Sequence, residues 1–182
     1  MTDEVPLLYL PPVMPREPAE KKLVLRSIRP PFVKPVLRKA EVCFLPHYLF
    51  RLDLRAGKKQ AFVNAAVDGA LGHFAHWKAE ALKPIPADLK FEFAFMLTED
   101  EARAKLLEQY RWVLISNSVK MRALFQPAEV KLTARVYYPF WVGYFKEREQ
   151  WRFEALDALS GMRQGGKVRD ALMAAWVKTG KR

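Results

Sequence analysis

His73, His76 and Glu80 stand at i, i+3 and i+7 of "HFAHWKAE". On a helix these positions share a face, and two imidazoles with a carboxylate are a donor set that suits a metal such as zinc. The set lacks a cysteine pair, a third nearby histidine and the H-E-x-x-H pattern. If the stretch is a strand, the two histidines point to opposite faces. Ordinary surface histidines explain the same residues, so no metal or other cofactor is assigned.

Asp68 and Asp157 each open an Asp-x-x-x-Gly turn, closed by Gly72 and Gly161. An aspartate after a strand can bond the backbone that follows it, and glycine supplies a positive φ. That is a structural turn. The chemical alternative is a pair of carboxylates working as acid and base, or as cation ligands, which requires an environment that splits their pKa values. No nucleophile motif accompanies them. The chain has no G-x-S-x-G, no Walker A and no G-x-G-x-x-G. Cys43, the one cysteine, sits in an apolar run, where a thiol is inert. No residue is assigned as catalytic, and an enzyme, metal-dependent or otherwise, ranks third among the functional readings.

Basic and aromatic residues interleave in two places. Tyr48, Arg51, Arg55, Lys58 and Lys59 fall in one, and Trp141, Tyr144, Lys146, Arg148, Trp151 and Arg152 in the other. Exposed aromatics flanked by bases on a sheet are a means of binding single-stranded nucleic acid. The plain alternative is that the aromatics are core and the charges solvated. "GMRQGGK", residues 161–167, precedes a helix signal, and its amides with Lys167 suit an anion. The candidate polyanion contacts are therefore Arg55, Lys58, Lys59, Arg148, Arg152 and Lys167.

These residues must be positioned by local elements. Residues 47–55 alternate, with Tyr48, Phe50, Leu52 and Leu54 on one face and His47, Arg51, Asp53 and Arg55 on the other with Leu49 among them. "AGKK" turns the chain, and residues 61–67 return. The same plan recurs as a strand over 130–138, Pro139, a strand over 140–145, the turn "KERE" and a return over 151–156. Pro46 and Pro139 are 93 apart, while Asp68 and Asp157 are 89 apart, which assigns one copy a hairpin loop four residues shorter. "FEALDALSG", after a charged hairpin, resembles the terminal hairpin of PepSY-type modules. The helix preceding that hairpin in such modules is not evident before the first copy.

Between the copies, Thr98 with Glu101 forms a capping-box pattern, and Ala102, Leu106, Tyr110, Val113 and Leu114 make an apolar stripe. A long helix ending near Gln126-Pro127 is expected, then a C-terminal helix from residue 167. Residues 21–28 and 90–97 read as strands, and 73–82 as a short helix. Residues 1–20, rich in proline, read as an extended arm that lies along its own body or a partner.

Thus the expected fold class is α+β. One domain spans 21–182, with two copies of a strand–hairpin–helix unit (about 36–82 and 129–178) joined by a strand and helix (about 90–126). Antiparallel sheet and helices make up the body, and residues 1–20 make up the arm. Charge follows the copies: residues 21–63 carry eleven bases and two acids, and residues 111–182 carry fourteen and six, within a net charge of +11. Such a surface points to a polyanion partner, nucleic acid first, bound by a non-catalytic binding or adaptor protein. The alternative is a protein-assembly module docking through the arm or a strand edge. A single cysteine, an acidic start "MTDEVP" and no long apolar run lead to an expectation of a cytoplasmic protein.

Overall fold

A computed structural model describes residues 5–25, 35–77, 81–121, 125–147 and 149–180. It is α+β, with three helices and seven strands among those residues. The strands are β1 (Leu7–Tyr9), β2 (Val36–Ala56), β3 (Lys59–Asp68), β4 (Phe74–His76), β5 (Lys83–Pro84), β6 (Gln126–Glu147) and β7 (Gln150–Asp157). The helices are α1 (Arg16–Lys22), α2 (Glu99–Met121) and α3 (Gly166–Thr179). No helix among the described residues is long and apolar enough to cross a membrane.

The chain divides into two interleaved compact units. Unit 1 is Met1–Leu10 with Pro46–Tyr137, and unit 2 is Pro11–Leu45 with Tyr138–Arg182. The two long strands, β2 and β6, therefore each contribute one half to each unit. In unit 1 the strand order is β4-β3-β2-β6-β1-β5. The sheet is mixed rather than antiparallel throughout, because β1 pairs β6 in parallel, with Leu8 opposite Val136. A parallel neighbour requires a long connection, and residues 10–125, between β1 and β6, supply it.

In unit 1, β2 and β3 form a hairpin paired from Ala56↔Lys59 to His47↔Asp68. Gly57, at φ 61°, takes the first position of its two-residue loop, where a side chain would be strained. Tyr48, Phe50, Leu52 and Leu54 face a buried cluster with Ala102, Leu106 and Tyr110 of α2. Thr98 and Glu101 cap that helix: the Thr98 amide donates to Glu101 Oε2 at 2.7 Å, and the Glu101 amide to Thr98 Oγ1 at 3.3 Å.

In unit 2, β6 and β7 form the other hairpin, paired from Glu147↔Gln150 to Phe140↔Asp157. Its core holds Trp141, Phe145 and Leu156 against Ala19 of α1 and Leu23 just past its end. Pairing ends at Glu147↔Gln150 here and at Ala56↔Lys59 in the first hairpin. The four-residue difference is thus two residues from each strand, not a shorter loop. Removing two per strand preserves which side chains face in and which face out.

Several local expectations are corrected. Residues 1–20 are not one extended arm, since residues 16–22 are helical. Pro15 sits at the N-cap and Pro18 in the first turn, where a missing amide hydrogen costs no helix bond. Ion pairs Arg16–Glu20 at 2.7 Å and Lys21–Glu17 at 2.6 Å support that turn. Residues 21–22 end this helix and 23–25 lie outside any strand, while 26–34 fall outside the described residues. The expected strand over 90–97 is an extended segment without strand pairing. Its alternating Phe91, Phe93 and Phe95 mimic a strand. Phe91 stacks on Tyr137 at 3.7 Å, Phe93 is buried, and Phe95 packs against Tyr48 at 4.8 Å. The stretch expected as a helix over 73–82 contains β4 instead.

Candidate functional site

The two Asp-x-x-x-Gly turns come first, because they are the nearest approach to a carboxylate site. Asp68 is 4% exposed. The Ala70 and Leu71 amides donate to its Oδ1 at 3.0 and 2.7 Å, and the His73 amide donates to Oδ2 at 2.5 Å. In the other turn, the Leu159 and Ser160 amides donate to Asp157 Oδ1 at 2.8 and 3.2 Å, and the Tyr138 hydroxyl donates to Oδ2 at 2.9 Å. Gly72 and Gly161 take φ 82° and 69° and donate back to the aspartate carbonyls at 3.0 and 2.8 Å. Both carboxylates are engaged by their own turns, which is a structural task.

The correspondence continues outward from each turn. Gly69 donates to the Pro46 carbonyl at 2.7 Å, and Ala158 to the Pro139 carbonyl at 3.2 Å. The Gly69 carbonyl accepts from Met96 and Leu97 at 2.8 and 3.0 Å. The Ala158 carbonyl accepts from Val13 and Met14 at 3.0 and 2.8 Å. Leu97 and Lys105 crowd the Cα of Gly72, while Met14 and Lys22 crowd that of Gly161. Leu97 and Met14 are 83 positions apart, as are Lys105 and Lys22. The same spacing relates the buried Ala102 to Ala19 and Leu106 to Leu23. This Ala-x-x-Lys-Leu match, Ala19-x-x-Lys22-Leu23 with Ala102-x-x-Lys105-Leu106, was available in the sequence and masked by the prolines around it.

His73 and His76 do not share a helix face. His76 lies in β4 and His73 just before it. His73 Nδ1 stands 3.3 Å from Asp68 Oδ2, and the His76 ring packs edge-on against Phe74 at 4.9 Å. Glu80 lies outside the described residues. No group of three or more metal-ligating side chains occurs among the described residues. Cys43 is buried. Near it, the Tyr144 hydroxyl donates to Glu41 Oε1 at 2.8 Å. Burial first, then Cys43 and the Glu41 carboxylate, pushes the Tyr144 hydroxyl well above the ordinary phenol range. Burial likewise raises Tyr48, Tyr110 and Tyr137.

The outer faces of the two hairpins differ at matched positions. In the second, Tyr144 opposite Phe153 forms an apolar step. Trp176 of α3 lies on it, 4.9 Å from the Phe153 ring and 5.9 Å from that of Tyr144. In the first, the matched positions are Arg51 opposite Asn64, followed by Asp53 opposite Phe62. Phe62 is 57% exposed. The Arg51 guanidinium lies over its ring at 4.4 Å and donates from Nε to Asp53 Oδ1 at 2.9 Å. An open groove of about 360 Å³ runs here, lined by Arg51, Asp53, Arg55, Gln60, Phe62 and Glu129 among others. Trp151, at the position matching Phe62, is 63% exposed.

The basic candidates separate accordingly. Arg55 lines the groove, and Lys58 and Lys59 are exposed at the first hairpin's tip. Arg152 donates to Glu147 at 2.7 Å, so its charge is matched by a neighbour. Arg148 lies outside the described residues. Lys167 is exposed in the first turn of α3. Nearby, Arg163 donates to the Val24 carbonyl at 2.6 Å, and Arg169 stands 3.7 Å from Glu154. Phe62 and its contact with Arg51 escaped the sequence reading. The signal was the exchange of Tyr144 and Phe153 for Arg51 and Asn64 at positions with the same offsets from Pro139 and Asp157 as from Pro46 and Asp68. Comparison of the chain with protein-family models, with curated proteins and with solved structures finds no match.

Proposed function

We propose that this protein is a non-catalytic nucleic-acid-binding protein that uses its first hairpin. One observation carries the reading. Where α3 covers Tyr144 and Phe153 in the second hairpin, the first carries the exposed Arg51, which lies over the exposed Phe62 beside Arg55. Lys58 and Lys59 add charge at the tip, where long basic side chains stay solvated while reaching phosphates. Exposed aromatics beside bases are the working parts of proteins that hold nucleic acid strands.

The matched turns, hairpins and helices support an origin by internal duplication, with copies over about 36–82 and 129–178. On that account each copy also includes the helix before its long strand. Duplication explains why one protein carries two hairpins of the same build, and divergence of the outer faces explains why they serve different ends. The polyanion reading takes precedence over the assembly-module reading, because β1 of the arm already pairs β6 and β5. The two ends of the strand path are β4 and β5, three and two residues long, which is short for templating another chain. A cytoplasmic setting, argued from the lone cysteine, suits a nucleic-acid partner.

The test is a titration of the full chain with labelled oligonucleotides at several salt concentrations. Binding should weaken steeply as salt rises, by a slope of about 0.7 per phosphate contact on single strands. Absence of binding even at low salt would overturn the reading.

A further inference from the structure

The groove on the first hairpin has a charge balance that matters. Arg51 and Arg55 face Asp53 and Glu129, so its charged lining sums to zero. A phosphate trap would carry an excess of positive charge. The excess lies instead at the hairpin tip, on Lys58 and Lys59. What the groove offers is a cation over an aromatic ring. The Arg51 guanidinium carbon sits 4.4 Å from the Phe62 ring centre, and Asp53 accepts from its Nε at 2.9 Å. Bases lie on aromatic rings and on guanidinium planes alike. A guanidinium fixed in advance loses less freedom when a ring settles on it. The volume, about 360 Å³, falls within the roughly 300–1,000 Å³ of sites for small molecules. Glu129 adds a carboxylate, which accepts hydrogen bonds and donates none when ionised.

We infer that this groove receives one unpaired nucleobase bearing an exocyclic amino group, stacked on the Arg51–Phe62 pair. The amino edge is turned to Glu129, and the flanking phosphates run to Lys58 and Lys59. The inference rests on the nucleic-acid reading above and sharpens it to single strands rich in cytosine, adenine or guanine. Thymine and uracil lack the amino group, and their one donor on that edge, N3–H, lies between two carbonyls that repel the carboxylate. A base inside a duplex is already stacked and paired, so duplex binds only through its phosphates.

The test compares fluorescence titrations of the full chain with labelled oligo-dC, oligo-dA, oligo-dT and a duplex of equal length at low salt. Oligo-dC and oligo-dA should bind about tenfold tighter than oligo-dT and the duplex. Phe62→Ala should weaken oligo-dC binding about tenfold or more, as loss of one stacked base requires. Phe62 is largely exposed, so this variant should fold, which thermal unfolding checks. Asp53→Ala separates stacking from simple charge. Removing a carboxylate would strengthen a purely electrostatic site, whereas losing the anchor of Arg51 should weaken this one severalfold. Glu129→Gln should erase the preference over oligo-dT while retaining binding. Equal binding of all four probes, with Phe62→Ala inert, would overturn this inference and leave the polyanion reading standing. No binding of any probe would overturn both.

Discussion

The two hairpins share a turn, a register and a covering helix on the inner face, yet their outer faces part at two matched positions. Tyr144 and Phe153 lie under Trp176 in the second, while Arg51 and Asn64 take those places in the first. A helix settles on an apolar step because burying aromatic surface is worth roughly 25 cal/mol per Å². It has no such reason to settle on arginine and asparagine. The same strand scaffold supplies a covered step or an open one according to two side chains, while Leu49 and Ala66 on the same face stay buried. The open face is where a ligand has room.

The largest effect should come from the inner face. Trp141 is 7% exposed, and its Nε1 donates to the Met14 carbonyl at 2.9 Å. Trp141→Ala should cost about 3–5 kcal/mol in denaturant unfolding. Trp151→Ala, ten positions on and largely exposed, should stay within about 0.5 kcal/mol. Similar losses for the two would break the assignment of inner and outer faces.

The turns come next. Asp68→Ala leaves three backbone amides without their acceptor in a buried site, at a cost of about 3 kcal/mol. Asp157→Ala strands two amides in a more open turn and should cost about 1–2 kcal/mol. Thermal or urea unfolding of both variants checks the order. A reversed order would mean that Asp157 carries a charge partner that its turn does not reveal.

A smaller effect concerns alkaline pH. Tyr48 donates to the Leu97 carbonyl at 2.6 Å and Tyr137 to the Phe93 carbonyl at 3.1 Å, and burial raises both above the ordinary phenol range. A group whose folded pKa is raised keeps the native state's extra proton. The stability it contributes is whole below the unfolded value, near 10, and is lost as pH rises beyond it. Unfolding midpoints should therefore fall above about pH 10 with the phenol groups as one source. Tyr137→Phe should shallow that fall, and an unchanged slope would remove Tyr137 from the explanation.

Much of this architecture could be read from residue order. The alternation of Tyr48, Phe50, Leu52 and Leu54 placed the inner face, the capping box placed the start of α2, and Asp-x-x-x-Gly placed both turns. The helix α1 was hidden because its prolines occupy the N-cap and first turn, where they are harmless, while a sequence reading counts them as breakers. The segment over 90–97 looked like a strand because its phenylalanines alternate, yet its terminal amides donate to the Gly69 carbonyl of a turn. The groove was not legible for a different reason. Phe62 lies in a return strand where an aromatic fits a core position equally well, and its exposure, like that of Trp151 at the matching position, shows only in the fold. Basic residues alone named six candidates. Neighbouring acids then distinguished Arg152, held by Glu147, from Lys58 and Lys59 at the open hairpin's tip.

On the function proposed above, binding belongs to the first hairpin and not to net charge. Two double variants of the full chain carry the same charge change: Lys58→Glu with Lys59→Glu, and Lys167→Glu with Lys178→Glu. Oligonucleotide titrations at several salt concentrations compare them, with thermal unfolding as the control for folding. The account predicts that the first pair weakens binding at least tenfold and lowers the salt slope by about 1.4, two contacts at roughly 0.7 each. The second pair should change affinity only slightly and leave the slope intact. Equal losses from both pairs would contradict the account, because binding would then follow the charge of the whole chain.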